Sequence, residues 1–182
     1  MLGTLLAALS PEKTEPDAAR IGANTFESPY FKFHFSFPQS WCTLDDAFRM
    51  ESNRKRHEEA AKRADVAWTY NLLMASPAPV SADEKLPLPF IHVLAIEGVP
   101  VPLGDYATTF ARVKSFKLLQ QQPRSFSGHE FIESDLMHND AHYEAVFETK
   151  TRDYLLIFQF HGRTQEEMNT LAKSMESLKF DK

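Results

Sequence analysis

What this chain lacks narrows its function before anything present is considered. It has one cysteine, Cys42, so no internal disulfide and no C-x-x-C pair can form, and the redox compartment is left open. Six glycines in 182 residues are too few for phosphate-cradling loops, and neither G-x-x-x-x-G-K nor G-x-G-x-x-G occurs. The G-x-S-x-G elbow of α/β-hydrolases and the His-Glu-x-x-His pair of zinc proteases are missing as well. Positive charge is not in excess: 20 Lys+Arg against 25 Asp+Glu give a net charge of -5, which excludes a basic field for nucleic acid or anionic lipid. The longest apolar run near the start covers residues 5–9, whereas a bilayer-spanning helix needs about 20 residues.

What is present is ordinary for a globular chain: 43% apolar and 25% charged residues, which rules out collagen, coiled coil and disorder throughout. The length suits one domain with a tail. Residues 1–9 read either as a frayed start or as the remnant of an export signal, with no Lys or Arg before the apolar run and no A-x-A site after it. The compartment therefore stays open between the cytoplasm and an exported location. Residues 10–28 carry two prolines and little to bury, so residues 1–28 are expected to form a tail and residues 29–182 a single domain.

Along the domain, Phe31, Phe33, Phe35 and Phe37 alternate with Lys32, His34 and Ser36, which predicts a strand over 30–38 with one face in the core. Thr43-x-x-Asp46 resembles a capping box opening a charged helix to about residue 65, exposed along its length and held through Leu44, Ala47 and Phe48. Val66, Trp68, Tyr70, Leu72 and Met74 alternate as a second strand. Pro77, Pro79, Pro87 and Pro89 then stiffen a long excursion, followed by a mostly apolar strand over 90–96. Tyr106, Phe110, Val113 and Phe116 are spaced as one helical stripe, predicting a helix to about Gln122 that Pro123 stops. Strands over 129–137, 143–148 and 154–160 form a three-stranded meander, the first turn at Asn139-Asp140. Thr164-x-x-Glu167 caps a closing helix with the stripe Met168, Leu171, Met175 and Leu178. Runs of antiparallel strands separated by helices predict an α+β fold, an antiparallel sheet flanked by helices.

Two phrases resemble the PsbP-like superfamily. F-K-F-H-F-S-F-P-Q-S-W (31–41) is similar to its opening strand, proline and tryptophan. Y-L-L-I-F-Q-F-H-G-R-T-Q-E-E-M-N-T-L-A-K-S-M-E-S-L-K-F (154–180) is similar to its closing strand and helix. The resemblance implies an α/β/α sandwich over residues 29–180. Relatives include DcrB-type envelope proteins and Eag-type secretion chaperones, so it also implies action by binding another protein, with no common catalytic residue to carry over. The charged helix between Trp41 and Val66 departs from that pattern.

The chemistry offered by single residues is sparse. H-N-D-A-H places His138, Asp140 and His142 within five residues across a turn. They read either as a surface metal clip helped by Asp135 or as solvated histidines at a polar hairpin end. Cys42 reads as a small buried hydrophobe rather than a nucleophile, and His34 as a wet-face histidine. His92 and His161 are strand residues with no nameable partner. Glu130, Glu133, Asp135, Glu144 and Glu148 read as charges on exposed strand faces. With no catalytic constellation and no cofactor motif, the expected function is a non-catalytic protein-interaction or accessory module. Its partner is placed on the proline loop (Pro77, Pro79, Pro87, Pro89) or on the exposed face of the charged helix. The alternative is a small-ligand or metal-binding protein, using either the His138/Asp140/His142 cluster or a pocket between the 106–116 helix and the aromatic sheet face.

Overall fold

The computed structural model describes residues 15–63, 67–79, 87–98, 100–139 and 141–181. Two antiparallel sheets carry the fold. The smaller joins β1 (Arg20–Ile21), β2 (Thr25–Ser28), β3 (Phe33–Ser36) and β11 (Lys179–Phe180) in that order. The larger has seven strands in the order β4-β5-β6-β10-β9-β8-β7. Its members are β4 (Cys42–Thr43), β5 (Thr69–Ser76), β6 (Phe90–Glu97), β7 (Lys117–Phe126), β8 (His129–His138), β9 (His142–Thr151) and β10 (Tyr154–Gly162). Three helices are added: α1 (Asp46–Ala60), α2 (Asp105–Lys114) and α3 (Gln165–Ala172), the last continuing as a tighter 3-10 turn over Lys173–Ser177.

Side-chain alternation divides the large sheet into two unlike faces. One carries Phe131, Phe147, Tyr154, Phe158 and Phe160, and the small sheet lays Phe26, Phe33 and Phe35 on it. Phe33 and Phe35 meet Phe158 nearly edge to face, with ring centroids 5.4 and 5.8 Å apart, the geometry that the ring quadrupole favours. Met168, Leu171, Met175 and Leu178 close this core from α3 and the turn after it. Thr164 caps α3 as its spacing predicts, its hydroxyl accepting from the Glu167 amide at 3.1 Å. The opposite face holds Leu94, Leu136, Val146, Leu155 and Ile157 under Ala107 and Ala111 of α2. The predicted antiparallel sheet with flanking helices is thus present, with a second sheet beside α3.

Several expectations need correction. Residues 20–28 are not a tail: β2 pairs with β3 and buries Phe26 fully beside Phe33 and Phe35. The cap of α1 is Asp45, whose carboxylate accepts from the Phe48 amide at 3.1 Å, while Thr43 lies in β4. Phe48 is 38% exposed, and α1 is held instead by Arg49 and Asn53, both buried. The Asn53 side-chain amide donates to the Asn71 carbonyl at 3.1 Å and accepts from the Asn71 N–H at 2.8 Å. It behaves as a neighbouring strand would. Arg49 donates to the same carbonyl and to that of Asp17.

The helix predicted to Gln122 ends at Ser115, whose φ of 60° places it in the left-handed region, and Val113 is 67% exposed. Residues 117–126 form β7, which makes the meander four-stranded. Pro123 sits inside this strand, tolerable because an edge strand leaves one side unpaired. Good helix formers here yield to tertiary pairing: Gln120, Gln121 and Gln122 donate to Asp135, Ser134 and Glu133 of β8.

Candidate metal centre

Two neighbouring strands, β9 and β10, deliver a cluster to the sheet face beneath α2. Period-two alternation on β9 turns His142, Glu144, Val146 and Glu148 to this face, and on β10 it turns Leu155, Ile157, Gln159 and His161. The register sets His161 opposite both Glu144 and Phe90, and His138 opposite His142. As a result, one ligand atom from each of His142, Glu144 and His161 lies within 4.8 Å of the others. His142 Nε2 is 3.0 Å from His161 Nδ1, which is 3.4 Å from Glu144 Oε2.

Glu144 is fully buried and His161 nearly so, while His142 is partly exposed. The Gln159 amide donates to Glu144 Oε1 at 2.7 Å. Among the described residues, Glu144 Oε2 and His161 Nε2 have no hydrogen-bond partner. Phe90 stacks on the His161 ring at 3.8 Å, and Phe116 meets the His142 ring at 5.1 Å. Zinc bonds of about 2.0–2.2 Å in tetrahedral array place ligand atoms about 3.3–3.5 Å apart, so small side-chain shifts suffice to seat an ion.

The electrostatics are set by burial. Glu144 is pushed up to about 8, with the Gln159 hydrogen bond opposing. His161 is pulled well below the usual imidazole range by burial, then by His142 and His92; His142 is lowered by burial, then by His138. Without a cation, one imidazole donates its N–H to the other across the 3.0 Å contact, and burial favours the protonated form of the Glu144 carboxyl. A cation would replace that proton. His92, lowered to about 4 by burial, extends the polar row, its Nε2 being 2.9 Å from Asn71 Oδ1.

Glu148 lies on the same face with a different task. Its two oxygens accept from the Gly104 and Ala107 amides at 2.8 and 2.9 Å, capping α2 from another strand. Gly104 has φ of 92°, and a Cβ there would stand 2.7 Å from the Gln121 amide nitrogen. Of the five acids expected on exposed faces, Glu133, Asp135, Glu144 and Glu148 are buried and only Glu130 is exposed. Glu144 and Glu148 lie under α2, whereas Glu133 and Asp135 lie on the aromatic face, where Gln122 and Gln120 of the neighbouring β7 donate to them.

The expected clip of His138, Asp140 and His142 is redrawn. His142 belongs to the cluster, but His138 lies outside it, its Nδ1 3.1 Å from the Ser115 carbonyl and its Nε2 2.8 Å from the Asn139 amide. Asp140 lies outside the described residues. Asp135 is on the aromatic face, accepting from Gln120. Sequence reading missed Glu144 and His161 as ligands, although turns at 139–140 and 152–153 imply the register that pairs them. His34 lies 3.6 Å from Asp181, and Cys42 is half-buried on β4.

Among the partner candidates, Pro77, Pro79 and Pro87 are exposed, residues 80–86 lie outside the described residues, and Pro89 is buried. Pro89 lines a groove of about 510 Å³ with Pro38, Trp41, Leu171, Glu166 and Glu167. The pocket expected between α2 and the aromatic face cannot form there, because α2 covers the other face and the small sheet fills the aromatic one.

No family model and no curated protein matches the chain. Among solved structures it is similar to the solution structure of cyanobacterial PsbP (CyanoP) from Synechocystis sp. PCC 6803, with a TM-score of 0.53, 12% identity, and coverage of 87% of this chain and 94% of that one. At that identity the likeness is one of architecture, and the fold is PsbP-like.

Proposed function

We propose that this chain is a metal-binding accessory protein that holds a divalent transition-metal cation at His142, Glu144 and His161. The observation that carries the reading is the partnerless Oε2 of a fully buried carboxylate, 3.4 Å from one imidazole nitrogen that is itself 3.0 Å from another. A buried carboxylate needs a proton, a donor or a cation, because an isolated charge in an apolar site is strongly disfavoured. Two imidazoles and one carboxylate suit zinc, whereas magnesium and calcium prefer all-oxygen shells. The work done is binding. Phe90 covers one imidazole.

The test is a zinc titration of untagged, EDTA-stripped protein, followed by calorimetry, native mass spectrometry and melting. One zinc per chain and a raised melting temperature are expected, both lost in His142→Ala and Glu144→Gln. Wild-type protein that takes up no zinc overturns the reading.

A second reading, a protein-interaction module, is favoured by the groove at Trp41, Pro38 and Pro89. Its aromatic and proline walls fit an extended, proline-containing segment, and Glu166 and Glu167 on its rim favour basic flanks. A proline-rich basic peptide should change Trp41 fluorescence, and Leu171→Glu should abolish that change. A flat titration removes this reading.

A further inference from the structure

We infer that His138 is a fourth ligand of the cation at His142, Glu144 and His161, reached by a change of rotamer at the turn between β8 and β9. The inference rests on the metal reading above and adds a residue that stands outside the compact grouping. Tetrahedral sites held entirely by protein need four donors, and the three already described include two that are buried. The remaining side opens at His142, and His138 is the residue paired directly opposite it. On an antiparallel ladder such a pair has Cβ atoms about 4.5–5.5 Å apart on the same face. Phe116 touches both rings, with centroids 5.0 Å from His138 and 5.1 Å from His142. The two imidazoles therefore share one wall.

The hydrogen bonds of His138 prepare it for this role. A carbonyl oxygen only accepts, so the 3.1 Å contact to the Ser115 oxygen requires the proton on Nδ1. Nε2 is left with its lone pair, which accepts from the Asn139 side-chain amide at 2.8 Å. A metal-bound imidazole typically has this arrangement, one nitrogen donating to a backbone carbonyl and the other free to ligate. Turning the ring inward gives up the contacts to the Ser115 carbonyl and to the amide of Asn139, an exposed turn residue.

Cobalt(II) added to the EDTA-stripped full chain is the probe, since its visible bands are intense when four-coordinate and weak at higher coordination. Wild type should show intense bands. His138→Ala should still bind, at least about 10-fold more weakly, with weak bands. Asn139→Gly keeps the positive φ of 52° accessible and removes the competing amide, so it should bind about 2- to 10-fold more tightly. His138→Ala with wild-type bands and affinity overturns the inference and leaves a three-residue site standing. Wild-type protein that binds neither cobalt nor zinc overturns the metal reading, and this inference with it. Near-UV circular dichroism of both variants checks that the aromatic core is intact.

Discussion

The two faces of the seven-stranded sheet solve opposite problems. On one, Phe131, Phe147, Phe158 and Phe160 pack against rings from the small sheet, and hydrocarbon burial does the work. On the other, Glu144, Glu148, Gln159 and His161 are as deeply buried as the phenylalanines. They are covered by a ten-residue helix whose buried residues are two alanines. Buried ionisable groups weaken a fold unless each is satisfied. Glu148 is satisfied by the end of α2, but Glu144 is satisfied on one oxygen only. The comparison separates the face that holds the molecule together from the face that retains groups with chemical capacity.

The sharpest way to break the contrast is Phe158→Ala, which removes a fully buried ring touching Phe33, Phe35 and Phe131. It should destabilise the chain by about 3–5 kcal/mol, read from urea denaturation. A loss under half that would mean that the aromatic face can collapse around the cavity. Next is Glu148→Ala, which orphans two buried amides of α2 and should remove about 2–3 kcal/mol. Slowed exchange of the Gly104 and Ala107 amides in wild type, lost in the variant, would localise the effect.

The third test separates the faces by pH. Burial holds Glu144 at about 8, above its unfolded 4.5, so the folded chain binds this proton more tightly than the unfolded one. Its contribution to stability is complete below pH 4.5 and is lost as pH rises through 8. The depressed histidines act in the other direction, contributing fully above 6.5 and fading as pH falls. In EDTA, wild type should lose stability relative to Glu144→Gln, on the order of 1–2 kcal/mol, as pH rises from 6.5 to 8. Parallel curves for the two proteins would show Glu144 already ionised. The smallest effect expected is that of Thr164→Ala. It removes the exposed cap of α3 on the aromatic side, should lower stability by about 1 kcal/mol, and should leave zinc binding unchanged.

Legibility in the sequence followed the same division. The alternation of Phe31 to Phe37, the pattern of β10 and the stripe from Met168 to Leu178 were all readable, because a face packed with hydrocarbon writes its period into the residue string. Polar residues carry no such sign. Glu144 alternating with Tyr143 and Ala145 reads the same whether water or a helix covers it, and only the position of α2 decides. The cluster joins residues up to 19 positions apart, so it depended on strand register, which the turn at Asn139 and the one before Tyr154 encode only implicitly. β7 was hidden by its own composition, since Leu118, Leu119 and three glutamines favour a helix until β8 offers them a ladder.

The Asn53 side chain that bonds to both polar groups of Asn71 has a consequence for how this molecule keeps company with its own kind. β4 and the Leu44 amide after it cover β5 from Ser76 to Met74, so the margin at Asn71 would otherwise be a template on which another chain could lay a strand. One amide and the Arg49 guanidinium close that margin without adding an apolar surface. At the far margin, β7 carries Pro123 and Arg124, which break the register a docking strand would need. Among the described residues the large sheet ends at seven strands, and both of its margins carry features that disfavour an eighth.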